Sequence, residues 1–522
     1  MFFDDQKKSL DLYMQDEQEG YWKDVWNQLR KHRLGNLGLY VFFLFVFLGL
    51  YAPFFASSKP FWVEYDGVWY FPLFKYLFYS GFYTKRLDIF FNILMFILPV
   101  FLLGYRGLKR YPRARKVFTL LLFILQIVAF FYYGYSRPVD PSADRALIEK
   151  RQQALREQTL ENKNFVPSWN FDLKYMNDYA RLNLVIREIL RKQQDLQLQP
   201  YAKIYEKANH QPMPTLWNLE QINEAAEIES QRSILKAYAN QKDSREYIQA
   251  EQKMNYLLDR RQWLNEQTKK ITGLFMPPIS HFHWEDDAGG SQALNQVIPW
   301  WHLTRVNRKD LLAALIFGIR ISLSVGIIAV GIALLIGIPI GAFSGYYGGT
   351  FDIITSRLLE IWESMPTFFM LLIVVAMMQN KSIFIVITVI GLFGWTTFTR
   401  FLRGEFFKQR HLPYVEACHA QGFNDLYIIF SHILPNAIPP ILTLLPFAIM
   451  SAITSEAGLS FLGLGEEGSC SWGVLMDEGR AAFPAESYLL WPPAILLTIL
   501  LVAIALVGDA LRDAMDPRLR RV

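Results

Sequence analysis

The chain has 522 residues, 52% of them hydrophobic and 16% aromatic, with a mean hydropathy of +0.13. That composition excludes low-complexity disorder, which needs few apolar residues and a large net charge. Two cysteines exclude a disulfide framework, and 53 basic against 48 acidic residues, a net +5, is too balanced to argue for nucleic acid.

The apolar residues are gathered into runs as long as a bilayer is thick. A spanning helix takes about 20 mostly apolar residues. Runs of that kind lie at 37–55, 88–104, 117–135, 312–341, 358–378, 382–399, 436–455 and 490–508. They predict an all-α polytopic membrane protein with about eight transmembrane helices. Residues 1–36 are too long and too acidic for the charged start of a cleaved signal, so the first run reads as an uncleaved anchor. Residues 68–83 contain Pro72, Lys75 and many aromatic rings. Such rings favour the headgroup layer, so 56–87 reads as an external, interfacial segment.

Lys and Arg in short flanks set the orientation. Lys23, Arg30, Lys31 and Arg33 precede the first run, and Arg106 to Lys116 fill the turn of the 88–135 hairpin. Arg400, Arg403, Lys408 and Arg410 follow the sixth run, and Arg512, Arg518, Arg520 and Arg521 follow the last. With about eight spans all four flanks fall on one face, the cytoplasmic one, which places both termini on that side of the membrane. Lys85 and Arg86 oppose this assignment.

Residues 136–311 then form an external domain. Apolar residues at helical spacing, as in 181–190 and through Ile228, Ile234, Leu235, Tyr238, Tyr247, Tyr256 and Leu257, predict amphipathic helices paired as a hairpin or bundle. Periodicity does not separate a docking surface from a spacer. His281, His283, Glu285, Asp286, Asp287 and the nearby His302 include zinc-ligand types, but a solvated polar loop accounts for them, so no metal is assigned.

The stretch Tyr414-Val415-Glu416-Ala417-Cys418-His419-Ala420-Gln421-Gly422, followed by His432-Ile433-Leu434-Pro435-Asn436, reads as a short helix, a glycine break and a second short helix over 423–432. Gly422 accepts a positive φ at little cost, which permits a sharp turn between two stiff pieces. Such a bend across the ends of spanning helices suits the passage of a push from a soluble partner.

Glu416, Ala417, Gly422, Leu434 and Pro435 match the Glu-Ala-Ala loop of bacterial ABC-importer permeases, with Cys418 in place of the second Ala. Ser344-Gly345-Tyr346-Tyr347-Gly348-Gly349 with Asp352, then Arg357, Glu360 and Pro366, resemble the oligopeptide/dipeptide branch of that family. So do Ser455–Gly465 and Gly508–Arg518. Tyr65-Asp66-Gly67 with Trp69-Tyr70-Phe71-Pro72 is similar to the Yej-type subgroup. Before the fourth run Asp310, Gly318 and Arg320 keep the family register, while His302-Leu303-Thr304-Arg305 and Asn307-Arg308-Lys309-Asp310 lack the family's glycines. The 88–135 hairpin and the long insert fall outside the resemblance.

The resemblance implies a type I permease core over 312–508, with five spans and a coupling loop at 413–436, and a cytoplasmic tail at 509–522. It implies a second permease subunit, two ABC ATPase subunits that carry ATP and Mg, an external substrate-binding protein and a peptide cargo. The chain itself has no Gly-x4-Gly-Lys-Ser/Thr loop, no His-Glu-x-x-His and no Gly-x-Ser-x-Gly, so neither ATP hydrolysis nor other catalysis is assigned to it. Glu360, Glu363 and Glu456 are the candidate translocation-path residues, because acids this close to the bilayer often mark a pathway. Two other readings stay open: a membrane-anchored scaffold that binds an external partner, and an importer of nickel or another small solute.

Overall fold

The computed structural model describes residues 24–83, 85–135, 140–163, 165–211, 213, 216–280, 297–302, 305–306, 309–378, 381–484 and 489–515, without the side chains of 194, 195, 216–226 and 305–309. Contacts divide the chain into two units, Met1–Gly49 with Phe317–Val522, and Leu50–Ile316. The described residues are mostly helical. They include seven helices long and apolar enough to cross a membrane, or eight if one bent pair counts as a span.

The first unit takes in the helix Arg33–Leu50 up to Gly49 and, after the whole second unit has intervened in sequence, the long helix Leu311–Tyr347 from Phe317 onward. The buried Arg320 closes the end of the first helix, its Nε donating to the Gly49 carbonyl at 2.7 Å. The long helix lies against Trp395–Gln409 along a stripe of Gly337, Gly341 and Gly345. A Cβ at those positions would stand 2.8 Å from the Trp395 carbonyl, 2.7 Å from the Thr399 carbonyl and 2.5 Å from the Phe406 Cβ. Only glycine lets the two backbones come so close, and Thr399 Oγ1 then reaches the Gly337 carbonyl at 3.2 Å.

The expected span at 358–378 is a bent pair. An amphipathic helix, Gly349–Glu363, meets the apolar Thr367–Met377 at 75°. Pro366 cannot donate to a continuing helix and restricts the residue before it, so the chain turns there. The run at 436–455 is likewise two pieces, Leu434–Leu442 and Leu445–Leu459. The last run is one helix, Trp491–Met515.

In the second unit Arg86–Gly107 and Pro112–Tyr135 form the hairpin expected at 88–135. Residues 68–83 do not span. They hold a strand, Val68–Tyr70, and a short helix, Pro72–Tyr76. The strand belongs to a small antiparallel sheet that hydropathy did not reveal, in the order Val68–Tyr70, Trp62–Tyr65, Ile271–Phe275. Asp66 and Gly67, at φ 53° and 76°, make its tight turn. The sheet joins the two ends of the insert, and the helix Asp178–Asn209 buries Leu182 and Ile186 against Val63. The remaining insert helices are Arg145–Glu161, Trp169–Lys174, Leu216–Ala237 and Arg245–Thr268. The last two are the predicted pair, broken at 238–244, and Arg151 and Tyr256 both bond the buried Asp172 at 2.8 and 3.1 Å.

Candidate functional site

The predicted bend is present. Pro413 opens a helix that runs to Ala420, at the position where its missing N–H costs nothing. Gly422 takes φ 76°, and the Phe423 N–H bonds the Cys418 carbonyl while the Gly422 N–H bonds His419. Those two bonds satisfy carbonyls that the helix end leaves free. Asn424 then caps a second piece, Asp425–Tyr427, which passes through a π-helical stretch, Ile428–Ile433, into Leu434–Leu442.

The six residues expected to couple an ATPase divide by face. Val415 and Cys418 point inward three residues apart, so Glu416, Ala417 and Gly422 are exposed. Leu434 and Pro435 are half-buried where the following helix begins. Burial pushes the Cys418 thiol up from its ordinary pKa. Glu416 sits in the first helical turn, where a carboxylate is favoured, yet it caps no N–H and remains outward-facing.

The tertiary structure adds a clasp to this bend. The Tyr346 hydroxyl, one residue from the end of Leu311–Tyr347, donates to Asp425 Oδ1 at 2.8 Å. It also lies 3.2 Å from His419 Nε2, and the two rings stack with centroids 6.2 Å apart. One phenol thus touches both halves of the bend. Beside it, Arg410 Nη1 donates to the Gly345 and Tyr346 carbonyls, each at 3.3 Å. Asp352 accepts from Ser344 Oγ at 2.8 Å and from both Nε and Nη2 of Arg403. A two-point guanidinium–carboxylate pair fixes orientation as well as distance. Tyr346 and Asp352 stood in a quoted motif, but nothing in their local spacing linked them to Asp425 or Arg403.

The three acids proposed for the translocation path are committed to protein partners. Glu360 is exposed and pairs with Arg357 one turn earlier, and Glu363 pairs with Arg400. Glu456 is fully enclosed. Its Oε1 accepts from Ser460 Oγ at 2.7 Å and Ser471 Oγ at 2.6 Å, and Ser471 in turn caps the helix Trp472–Ala481. These bonds hold that helix against Leu445–Leu459. The cluster at 281–287 lies outside the described residues, and no group of three or more metal-ligand side chains occurs among the described ones.

Residues 337–521 match the family described as the binding-protein-dependent transport system inner membrane component. Residues 20–69 match the N-terminal transmembrane domain of oligopeptide transport permease C. The oligopeptide transport system permease protein OppC of Haemophilus influenzae is 36% identical over 240 residues, which cover 45% of this chain and 77% of that one. This chain belongs to that family of inner-membrane transport components. Two further family members are similar to it. The peptidoglycan transport system permease protein YejE of Agrobacterium fabrum is 37% identical over 42% of this chain and 57% of its own length. The inner membrane ABC transporter permease protein YejE of Escherichia coli is 38% identical over 42% of this chain and 63% of its own length. The match to these two therefore spans less than two thirds of either relative. The bend, the clasp and the Glu456 latch all lie within the family-matched segment.

Proposed function

We propose that this family member is the permease subunit of an ATP-driven importer of peptides, and that its bend at 413–436 docks on a separate ATPase. The observation that carries the reading is the bend itself: Glu416, Ala417 and Gly422 stand exposed on a rigid helix–glycine–helix element whose other face is built into the core. A docking element needs that division, with one face free for the partner and one fixed to what must move. Closure of the ATPase pair would then rock the core helices between inward-open and outward-open states. The relatives' names, which include oligopeptide and peptidoglycan transport, support a cargo with peptide bonds.

In this reading the bend and both termini face the cytoplasm, the insert faces outward, and a second permease subunit and a substrate-binding protein complete the assembly. ATP and Mg belong to the partner ATPase. The test is co-purification of an ATPase with the intact chain and with Glu416→Lys or Gly422→Pro, alongside peptide-stimulated ATP hydrolysis in reconstituted vesicles. Both substitutions should abolish stimulation while the spans stay folded. Full stimulation in either variant defeats the proposal, and competition binding on the cognate binding protein identifies the cargo.

A further inference from the structure

The hairpin Arg86–Gly107/Pro112–Tyr135 lies outside the family-matched segments, and its turn has a distinct chemistry. Arg106, Lys109, Arg110, Arg113, Arg115 and Lys116 stand there without an intervening acid. None is buried, and none pairs with a carboxylate among the described residues. At the opposite end of the same hairpin Lys85 and Arg86 have the buried Asp88 within the next helical turn.

The basic turn is also rigid. A single tight turn, Leu108–Arg110, joins the helices, with Tyr111 N–H bonded to the Leu108 carbonyl and Arg115 N–H to the Tyr111 carbonyl, both at 2.9 Å. Gly104 admits the Phe118 ring where a Cβ would stand only 2.3 Å from it. The Arg115 guanidinium lies over the Tyr105 ring, 4.6 Å from its centroid. The backbone that carries the cations is therefore fixed, and Arg115 is held by a ring as well.

Among the described residues, burial in the first helix of the hairpin is confined to the half away from this turn. Buried residues of the first helix run from Leu87 to Met95, where Asn92 Nδ2 donates to the Leu77 carbonyl at 2.8 Å. Beyond Met95 that helix buries no residue, and Leu103 is 74% exposed. In the second helix only Gln126 and Gly134 are buried. At about 1.5 Å per residue, helices of 22 and 24 residues match a hydrocarbon layer of about 30 Å, which sets the turn in the headgroup layer. Tyr105 and Tyr111 are the residues expected at that depth.

We propose that this turn is a binding site for the phosphates of anionic phospholipids, which anchor the half of the hairpin where, among the described residues, little is buried. Guanidinium forks match phosphate oxygens, and cations on a fixed backbone lose less freedom on engaging them. This inference stands independently of the transport reading.

The full chain, purified and placed in nanodiscs of phosphatidylcholine with a minority of phosphatidylglycerol, tests it by native mass spectrometry of retained lipid. Phosphatidylglycerol should be retained about threefold or more above its bulk share, and about 0.5 M salt should weaken that preference. The variant K109Q/R110Q/R113Q should lower retention toward the bulk ratio, while R110K/R113K should preserve most of it. The salt titration uses the unaltered chain and so holds even if the glutamine variant fails to insert. Retention in proportion to bulk composition by the unaltered chain overturns the proposal. So does unchanged enrichment in the glutamine variant, or stoichiometric displacement of the lipid by an acidic protein.

Discussion

Tyr346 and Asp425 lie 79 residues apart in sequence, and the phenolic O–H of one donates to the carboxylate of the other at 2.8 Å. The bond joins the end of a 37-residue core helix to the far half of the bend, across the stacked His419. In the proposed reading, this clasp is one polar route by which a force at the bend enters that helix. Tyr346→Phe removes the donor and leaves the ring stacked. A hydrogen bond to a charged group contributes about 1.5–3 kcal/mol, so the clasp should loosen without unfolding. The expected outcome is a severalfold rise in ATP hydrolysed per peptide moved in proteoliposomes. An unchanged ratio would show that coupling bypasses Tyr346.

Gly422 needs its positive φ of 76° because the chain reverses there between two capped pieces. Left-handed backbone costs an ordinary L-residue about 1–2 kcal/mol, and asparagine tolerates it best. Peptide-stimulated ATPase activity should therefore fall in the order Gly, Asn, Ala, Val at this position. Equal activity in Asn and Val variants would show that the turn's geometry is immaterial.

Glu456 accepts two serine hydroxyls with one oxygen inside the protein. Glu456→Gln retains an acceptor of the same shape, whereas Glu456→Leu leaves Ser460 and Ser471 without theirs. A buried hydroxyl that loses its partner costs about 1–3 kcal/mol. Thermal unfolding in detergent should leave the Gln variant close to the parent and lower the Leu variant by several degrees. A Leu variant as stable as the parent would remove the latch.

Cys418 and Ala417 are neighbours on opposite faces of one short helix. The thiolate is the reactive form, and burial raises the Cys418 pKa, so at pH 8 less of it is ionised than of an exposed thiol. A cysteine placed by Ala417→Cys in a Cys418→Ser background should react with maleimide much faster than Cys418 does. Raising the pH should increase the Cys418 rate over a range where the exposed cysteine has already levelled off. An impermeant maleimide applied to inside-out vesicles should reach position 417, and labelling only from outside intact cells would reverse the assigned topology.

Much of this was legible locally. The hydropathy runs located the spans because the bilayer imposes a length on them, and Gly422 with Pro435 announced a bend because backbone freedom at glycine and restriction at proline are properties of the residue itself. The sheet was not legible: Trp62–Tyr65 pairs with Ile271–Phe275, and no short window contains both strands. The bent pair at Pro366 was hidden for another reason, since composition sums over a break that changes direction but not hydropathy. Glu456 read as a pathway acid because the sequence places Ser471 fifteen residues away, and only packing brings its hydroxyl to the carboxylate.

By itself, then, the sequence determined what each segment can be: where it is apolar enough for lipid, where its backbone must turn, which helical face is polar. The tertiary structure decided what each polar group is for. Tyr346 became a clasp, Arg320 a lid on the Gly49 carbonyl and Glu456 a latch because their partners come from distant parts of the chain. Hydrophobicity and backbone restriction are properties of a residue and its neighbours, whereas a hydrogen bond is a property of two positions in space.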